Sequence, residues 1–234
     1  MFYGWLFQPL FWVIVAPFIA FGAYASFRVK AVFRRYARTP VQSGMDGAQA
    51  AAAVLRAGGA LDCTIKESAG FLIDHYDPRS RTLNLSPDVF RGRSISSIAV
   101  AAHEAGHAIQ HAKDYAPLTM RSKLVPVVQI GSHVWAYCCL AYFFFGSMGR
   151  NFLDVGIIVF LLTALFQLVT LPVEIDASRR AKAVLASTGI VTTGEEARGV
   201  EKVLSAAALT YVAGLLTAVS QLVMLILLRS QSRD

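Results

Sequence analysis

Four long apolar runs alternate with polar, charged segments along the chain. The runs cover residues 5–27, 124–147, 152–173 and 207–228, and the third contains one charge, Asp154, near its start. About 20 apolar residues in a helix cross a bilayer, so each run predicts a membrane-spanning helix. Pro9 and Pro17 are expected to kink the first helix, which membrane helices tolerate. Residues 207–228 either cross fully or lie along the membrane.

The second and third spans are separated by a short polar turn, residues 146–154, which predicts a transmembrane hairpin. A hairpin returns the chain to the side of the membrane from which it left. The segments before and after it, residues 39–123 and 174–206, are therefore expected on one side. This predicts five segments: 1–38, a first span with a basic flank; 39–123, an α+β domain; 124–173, the hairpin; 174–206, a helical segment; and 207–234, the fourth span and tail.

The segment 39–123 has the signals of mixed structure. Asp46 can cap a helix over residues 47–57, which Gly58-Gly59 would end. Residues 63–66 and 82–85 read as short strands, and the Asp-Pro content of 74–78 predicts a turn. Ser94 or Ser96 can cap a further helix that runs to about Lys113. The expected fold class is mainly α: an integral membrane helical protein with a small α+β domain.

Composition and charge support the membrane reading. Of 234 residues, 55% are hydrophobic and mean hydropathy is +0.50, which is too apolar for an ordinary soluble domain. Residues 28–123 and 174–206 hold 14 and 5 of the 22 Lys and Arg residues. By the positive-inside rule these segments face the cytoplasm, which accounts for the net charge of +7 without nucleic acid. The basic cluster follows the first run, so that run predicts a signal anchor and not a cleaved signal peptide. Cys63, Cys138 and Cys139 form no even disulfide framework.

The sequence His-Glu-Ala-Gly-His at residues 103–107 carries the candidate chemistry. On a helix, His103 and His107 lie one turn apart on one face, so both can bind one metal ion. Glu104 would lie beside the open coordination position, where it can take a proton from metal-bound water. Gly106 weakens the helix but is expected to leave room beside the metal. The His-Glu-x-x-His pattern also occurs by chance, so a metal site needs support from other parts of the sequence.

A catalytic zinc ion usually takes three protein ligands, and four residues are candidates for the third. His111 lies eight residues past His103, about 12 Å along a helix, which favours a helix-surface or supporting role. His133 lies inside a predicted span, where a helix-packing hydrogen bond is the simpler reading. His75, with Tyr76 beside it, lies in the predicted turn. It either orients substrate and stabilises the transition state, or is purely structural.

Glu174 is the favoured third ligand because the hairpin brings it to the side of His103 and His107. It is expected at the start of a helix, where a carboxylate could instead stabilise the helix through a favourable interaction with its dipole. Asp176 is a candidate to hold a histidine N–H group.

Three runs of sequence carry a family resemblance. They are SGMDGAQAAAAVLRAGG, DHYDPRSRTLNLSPDVFRGRSISSIAVAAHEAGHAIQH and LPVEIDASRRA. Together they resemble the YugP-type neutral zinc metallopeptidases, a bacterial membrane family. The resemblance implies a zinc-dependent membrane peptidase, in which the α+β domain at residues 39–123 is a zincin-like catalytic domain on the cytoplasmic side. Glu174 and Ala177 also resemble the Glu-x-x-Ala pattern of Glu-zincins, in which an Asp often follows where this chain has Ser178. Zincins bind substrate along a strand, for which residues 82–85 are the candidate, although they could equally be a packing strand.

The function predicted from the sequence is a membrane-anchored zinc endopeptidase in the bacterial inner membrane, acting on protein or peptide substrates, with its active site facing the cytoplasm. The bilayer and a membrane protein are its possible partners, and nucleic acid is not. One alternative is an intramembrane zinc protease, although no Asp lies in the middle of a span. Another is a non-enzymatic scaffold or chaperone with a vestigial zinc site, against which Glu104 argues.

Overall fold

The computed structural model describes residues 9–145, 150–192 and 194–231. It is mainly helical with one small sheet, as the sequence predicts. In chain order the elements are α1 (Pro9–Ile14), α2 (Ala16–Tyr36), α3 (Gly47–Gly58), β1 (Thr64–Glu67), β2 (His75–Asp77), β3 (Thr82–Leu85), α4 (Pro87–Phe90), α5 (Ile95–Ala112), α6 (Ala116–Phe145), α7 (Arg150–Ser187) and α8 (Gly194–Gln231).

The chain divides into two compact units. The helical unit comprises Met1–Ser26, Met120–Leu171 and Thr210–Asp234, and the sheet-bearing unit comprises Phe27–Thr119 and Pro172–Leu209. The sheet-bearing unit contains the whole sheet, helices α3 to α5 and the polar portions of α7 and α8. The five functional segments expected from the sequence stay a prediction.

Within the described residues, three helical stretches are long and apolar enough to cross a membrane: Trp12–Tyr36, Phe152–Ser187 and Gly194–Leu227. They overlap the first, third and fourth predicted spans. The second predicted span falls on α6 and ends among residues 146–149, which lie outside the described residues, so it stays a prediction. The start of the first span, residues 5–8, the turn at 146–149 and the tail at 232–234 also lie outside them.

Helices α7 and α8 are longer than predicted. Glu174 was expected at the start of a helix, but α7 runs unbroken from Arg150 to Ser187 with Pro172 inside it. A proline removes one backbone donor, and a long apolar helix tolerates that loss. Glu174 therefore lies in the middle of a helix, so a favourable interaction with the N-terminal end of the helix dipole does not account for a carboxylate at this position. The fourth apolar run likewise continues the polar helix before it, as α8.

The ends of the short helices follow the sequence signals. Asp46 caps α3 in a reciprocal capping box with Gln49, and Gly59 closes the helix in the left-handed conformation at φ 80°. Ser94 is the N-cap of α5, its hydroxyl accepting from the Ser97 backbone N–H. These bonds fix the direction in which α5 enters the unit.

The sheet has the strand order β1-β3-β2, with β1 parallel and β2 antiparallel to β3. The predicted turn at 74–78 was wrong, because His75–Asp77 form β2, with Tyr76 opposite Leu83. The turn comes later: the Asp77 carboxylate accepts from the Arg79 backbone N–H and the Ser80 hydroxyl. The Asp-Pro pair does mark a turn, but Asp77 is both the last residue of β2 and the first residue of that turn.

Helix α5 lies at the centre of the sheet-bearing unit. Its apolar positions, among them Ile98, Ala102 and Ile109, pack in one core with α3, the sheet and the polar end of α7. Even its polar side chains Glu104, His107 and Gln110 are buried. Burial on all sides holds these side chains in fixed positions.

Candidate metal and catalytic site

His103 and His107 on α5 meet Glu174 on α7. The Glu174 Oε2 atom lies 3.1 Å from His103 Nε2 and 3.5 Å from His107 Nε2. One ligand atom from each residue lies within 4.8 Å of the others, in an arrangement that could hold a metal ion. His107 and Glu174 are buried and His103 is nearly so. The structure thus brings together the three residues that the sequence favoured as ligands.

Gly106 allows the two helices to come this close. A Cβ atom at this position would lie 2.6 Å from the Ala177 carbonyl oxygen, well inside contact distance. Ala177 is fully buried at the same crossing. Gly106 was expected to leave room beside the metal. In the structure, the space left by its missing side chain is filled by the backbone of α7. Glu174 lies almost one turn before Ala177, so this close contact sets its distance from the histidines.

The donor set fits zinc. Two imidazole nitrogens and one carboxylate oxygen form the His₂Glu set of catalytic zinc sites, which leave a fourth position for water. Bonds of about 2.0–2.1 Å in tetrahedral geometry place ligand atoms about 3.3 Å apart. The distances of 3.1 and 3.5 Å lie on either side of that value. Two of the three distances between ligand atoms therefore suit a zinc ion, and the third, between the two histidines, is within 4.8 Å.

Each histidine is also contacted at its other ring nitrogen. Ser178 Oγ lies 3.1 Å from His103 Nδ1, and Gln110 Oε1 lies 3.0 Å from His107 Nδ1. When Nδ1 donates to these oxygens, the Nε2 lone pair is left to bind a metal. Ser178, which stands where Glu-zincins often have Asp, therefore fills a histidine-orienting position.

Gln110 links α5 to α7 through the side of the site. Its Nε2 donates to the Val173 carbonyl oxygen at 2.8 Å and to Asp176 Oδ2 at 3.0 Å, and the side chain is fully buried. Asp176 also accepts from Arg179 and Arg180. The prediction that Asp176 holds a histidine is not what the structure shows. Gln110 stands between Asp176 and His107, a role that was not predicted from the sequence.

Glu104 is buried next to His103 and is held by β2. Its Oε2 atom accepts a hydrogen bond from the Tyr76 backbone N–H at 3.0 Å. Burial raises the pKa of Glu104 to about 7, against a usual 4.5, although the neighbouring His103 acts in the opposite direction. A carboxyl group with a pKa near neutrality can both take and release a proton.

Tyr76 and His111 form a second connection between β2 and α5. The Tyr76 hydroxyl lies 2.7 Å from His111 Nδ1. Burial raises the pKa of Tyr76 to about 12, so the hydroxyl stays protonated at neutral pH and can donate to the imidazole. Both residues line a polar cleft of about 360 Å³ that also has Asp62, Cys63 and Arg81 in its walls. Tyr76 therefore connects Glu104 to an open cleft.

The remaining candidates lie outside the metal-binding group. His75 is exposed on β2, with Nδ1 2.8 Å from the Ile73 carbonyl oxygen. His133 is exposed on α6, where its Nδ1 lies 2.7 Å from the Gln129 carbonyl oxygen, a bond within its own helix. Residues 82–85 form β3, and both edges of β3 are already paired, with β1 and β2. The choice of this strand for substrate pairing was wrong, because a central strand has no edge left to bind a peptide.

The family comparison agrees with this geometry. Residues 11–230 match the model of a family described as "Putative neutral zinc metallopeptidase". The chain is 43% identical over 225 residues to a Bacillus subtilis (strain 168) protein named "Putative membrane protease YugP", covering 96% of this chain and 98% of that protein. No solved structure matches.

The chain therefore belongs to this zinc metallopeptidase family, and the predicted resemblance is confirmed. Zinc as the cofactor is supported both by the family and by the His103, His107 and Glu174 group. The family is one of peptidases, so peptides are the substrate class it implies. The relative is named as a membrane protease, and three described helical stretches of this chain are long and apolar enough to cross a membrane.

Proposed function

We propose that this protein is a membrane-anchored zinc endopeptidase whose active site faces the cytoplasm. The observation that carries the proposal is the meeting of His103, His107 and Glu174 with Glu104 next to His103 on the same helix. A purely structural zinc site is usually closed by four protein ligands and has no use for a buried carboxylate beside it.

The residues have distinct roles in this proposal. His103, His107 and Glu174 hold the metal, while Ser178 and Gln110 fix the rotation of the two imidazoles. Glu104 would take a proton from the attacking water and pass it to the leaving amine, a role that suits its buried position next to His103. A zinc ion held by the three ligands would lower the pKa of a bound water and polarise the scissile carbonyl.

Strand β2 is the better candidate for pairing with an extended substrate. It lies at an edge of the sheet formed by the described residues. In an antiparallel strand the N–H and C=O of one residue point to the same side. The Tyr76 N–H points to Glu104, so the Tyr76 C=O also faces the catalytic side. A peptide lying along this edge would present its backbone to Glu104.

The cytoplasmic orientation rests on charge. Nineteen of the 22 Lys and Arg residues lie in the polar segments 28–123 and 174–206, in agreement with the positive-inside rule. This charge distribution supports a site on the inner face of the bacterial inner membrane, where it would reach cytoplasmic proteins or the cytoplasmic ends of membrane proteins.

The test compares the wild type with Glu104→Gln, both purified in detergent. Glu104 is not a proposed ligand, so both proteins should bind one zinc ion per chain by mass spectrometry of the metal. Wild type should cleave casein, and the variant should lose nearly all of that activity. Zinc binding without cleavage of casein or a peptide library by wild type would favour a scaffold, and equal cleavage by both proteins would rule out this mechanism.

A further inference from the structure

The loop between β1 and β2, residues 68–74, exposes two large apolar side chains. Phe71 is 45% exposed and Ile73 is 39% exposed. Between them, Leu72 has φ 54° and packs on the core of the unit. A left-handed conformation is unfavourable at a leucine, so the rest of the loop must hold it in place. Leu72 thus turns inward while its two neighbours face outward.

Phe71 lies against the helix that leaves the apolar run at the start of the chain. Its ring packs edge-on against Phe33 of α2, with centroids 5.8 Å apart. Phe33 is six residues beyond Phe27, the last residue of the uncharged run. At 1.5 Å per residue, this is about 9 Å past the end of the run, close to the headgroup layer of a bilayer.

The same part of α2 is strongly basic. Four exposed basic side chains lie on α2, and exposed Arg38 follows two residues after its end; the four are Arg28, Lys30, Arg34 and Arg35. A helix with cationic side chains, contacted by a loop with exposed aromatic and aliphatic ones, is typical of surfaces that bind the anionic headgroup region. Charge complementarity therefore favours a lipid surface over a protein as the occupant of this loop.

We propose that the loop 68–74 is a membrane contact of the sheet-bearing unit. Phe71 and Ile73 insert into the headgroup layer of an anionic leaflet, beside the basic part of α2. The loop leads directly into β2, whose Tyr76 donates to Glu104. Contact with the bilayer therefore fixes the start of the strand that holds this carboxylate. The proposal concerns lipid binding and does not depend on zinc or on peptidase activity.

The test places a fluorescent NBD label at Ile73→Cys in a full-length chain whose three native cysteines are replaced by Ala. The matched control is Leu61→Cys, because Leu61 is a more exposed apolar residue, at 74%, in another loop of the same unit. In nanodiscs containing phosphatidylglycerol and a headgroup-proximal nitroxide lipid, quenching at residue 73 should exceed that at 61 by about twofold or more. Equal quenching at both positions, or equal access of aqueous iodide to both labels, would overturn the proposal.

Two further measurements separate lipid from other occupants. Arg34→Gln with Arg35→Gln should reduce the difference in quenching between phosphatidylglycerol and pure phosphatidylcholine nanodiscs. Backbone hydrogen exchange at residues 68–74 in the chain with its native cysteines should slow several-fold in anionic nanodiscs. An unchanged exchange rate would contradict the proposal, and this measurement requires no label.

The double variant Phe71→Ser, Ile73→Ser tests whether the loop binds an apolar substrate instead. In detergent, with the fold checked by circular dichroism, this variant should cleave a soluble peptide with an unchanged KM. A raised KM there would assign the loop to substrate and overturn its assignment to lipid. If neither the variant nor the wild type cleaves the peptide, the quenching and exchange results still decide the proposal.

Discussion

Helix α5 has two functional faces that are built differently. The face toward α7 is close-packed: Gly106 touches the Ala177 backbone, and Gln110 is fully buried between His107 and Asp176. The face toward β2 is more open, because Tyr76 and His111 line a cleft there. Tyr76 contacts α5 at two points: its backbone N–H donates to Glu104, and its hydroxyl lies beside His111. In the proposed function, the first face sets the positions of the metal ligands, and the second holds the carboxylate that transfers a proton. Changes to the α7 face should therefore act on metal affinity, and changes to the β2 face on turnover.

The largest effect is expected from Glu174→Gln, which removes a charged ligand while keeping the shape of the side chain. Zinc affinity should fall by more than the roughly 10–100-fold that outer hydrogen-bond partners contribute. Competition with a chromophoric chelator measures it. Glu201→Gln is the matched control, because Glu201 is an exposed carboxylate on α8 that pairs with Lys182. Equal zinc affinity in the Glu174 variant and the control would show that Glu174 is not a ligand.

Gly106→Ala should come next, because its new methyl group collides with the Ala177 carbonyl oxygen. Overpacking of this kind costs about 1–3 kcal/mol of unfolding free energy, and displacing α7 should lower zinc affinity by about 100-fold. Gly131→Ala is the control, since its Cβ would meet Val159 at an ordinary 3.5 Å. Thermal unfolding and zinc titration of both variants measure the effect. Wild-type zinc affinity in Gly106→Ala would refute the close-packed description of this face.

Gln110→Leu should have a smaller effect on the metal. His107 would keep its place on α5 but lose the acceptor at Nδ1, and zinc affinity should fall by about 10-fold to 30-fold, within the range for orienting residues. Chelator competition gives the affinity. Ser178→Ala makes the same change at His103. If neither variant differs from wild type, the orientation of the imidazoles does not depend on these two side chains.

Tyr76→Phe should have the smallest effect, and on a different quantity. It removes the hydroxyl bonded to His111 but leaves the backbone N–H on Glu104. Losing a hydrogen bond of about 1 kcal/mol should lower kcat/KM about fivefold while zinc affinity stays at the wild-type value. Peptide cleavage and zinc titration on one preparation separate the two. A fall in zinc affinity would show that the two faces of α5 are coupled.

Local sequence signals predicted much of the fold. Asp46, Gly59 and Ser94 end or begin their helices as expected, since capping depends on neighbours within a few residues. The helix carrying His103 and His107 follows from the same kind of signal. The unbroken α7 could not be predicted in this way, because whether Pro172 ends or only interrupts a helix depends on the surrounding apolar packing.

The contacts around the metal-binding group depend on how α5 meets α7. Gln110 is three residues from His107, so a shared helix face could have suggested it. Its partners Val173 and Asp176, however, lie more than 60 residues away in the chain. Ser178 is four residues from Glu174, but only the docked structure shows that it faces His103. The role of β2 likewise depends on sheet order, which the strand signals do not contain.

The distance in sequence between the two halves of the metal-binding group has a consequence for how the protein is made. Glu174 follows His107 by 67 residues, as the difference between 174 and 107 gives. At about 5–20 residues per second, a ribosome needs about 3–13 seconds to add them. Throughout that interval the nascent chain has both histidines and the adjacent Glu104 but not the third ligand. In the proposed function, the growing polypeptide would therefore be a poor zinc binder and an inactive protease until Glu174 is added.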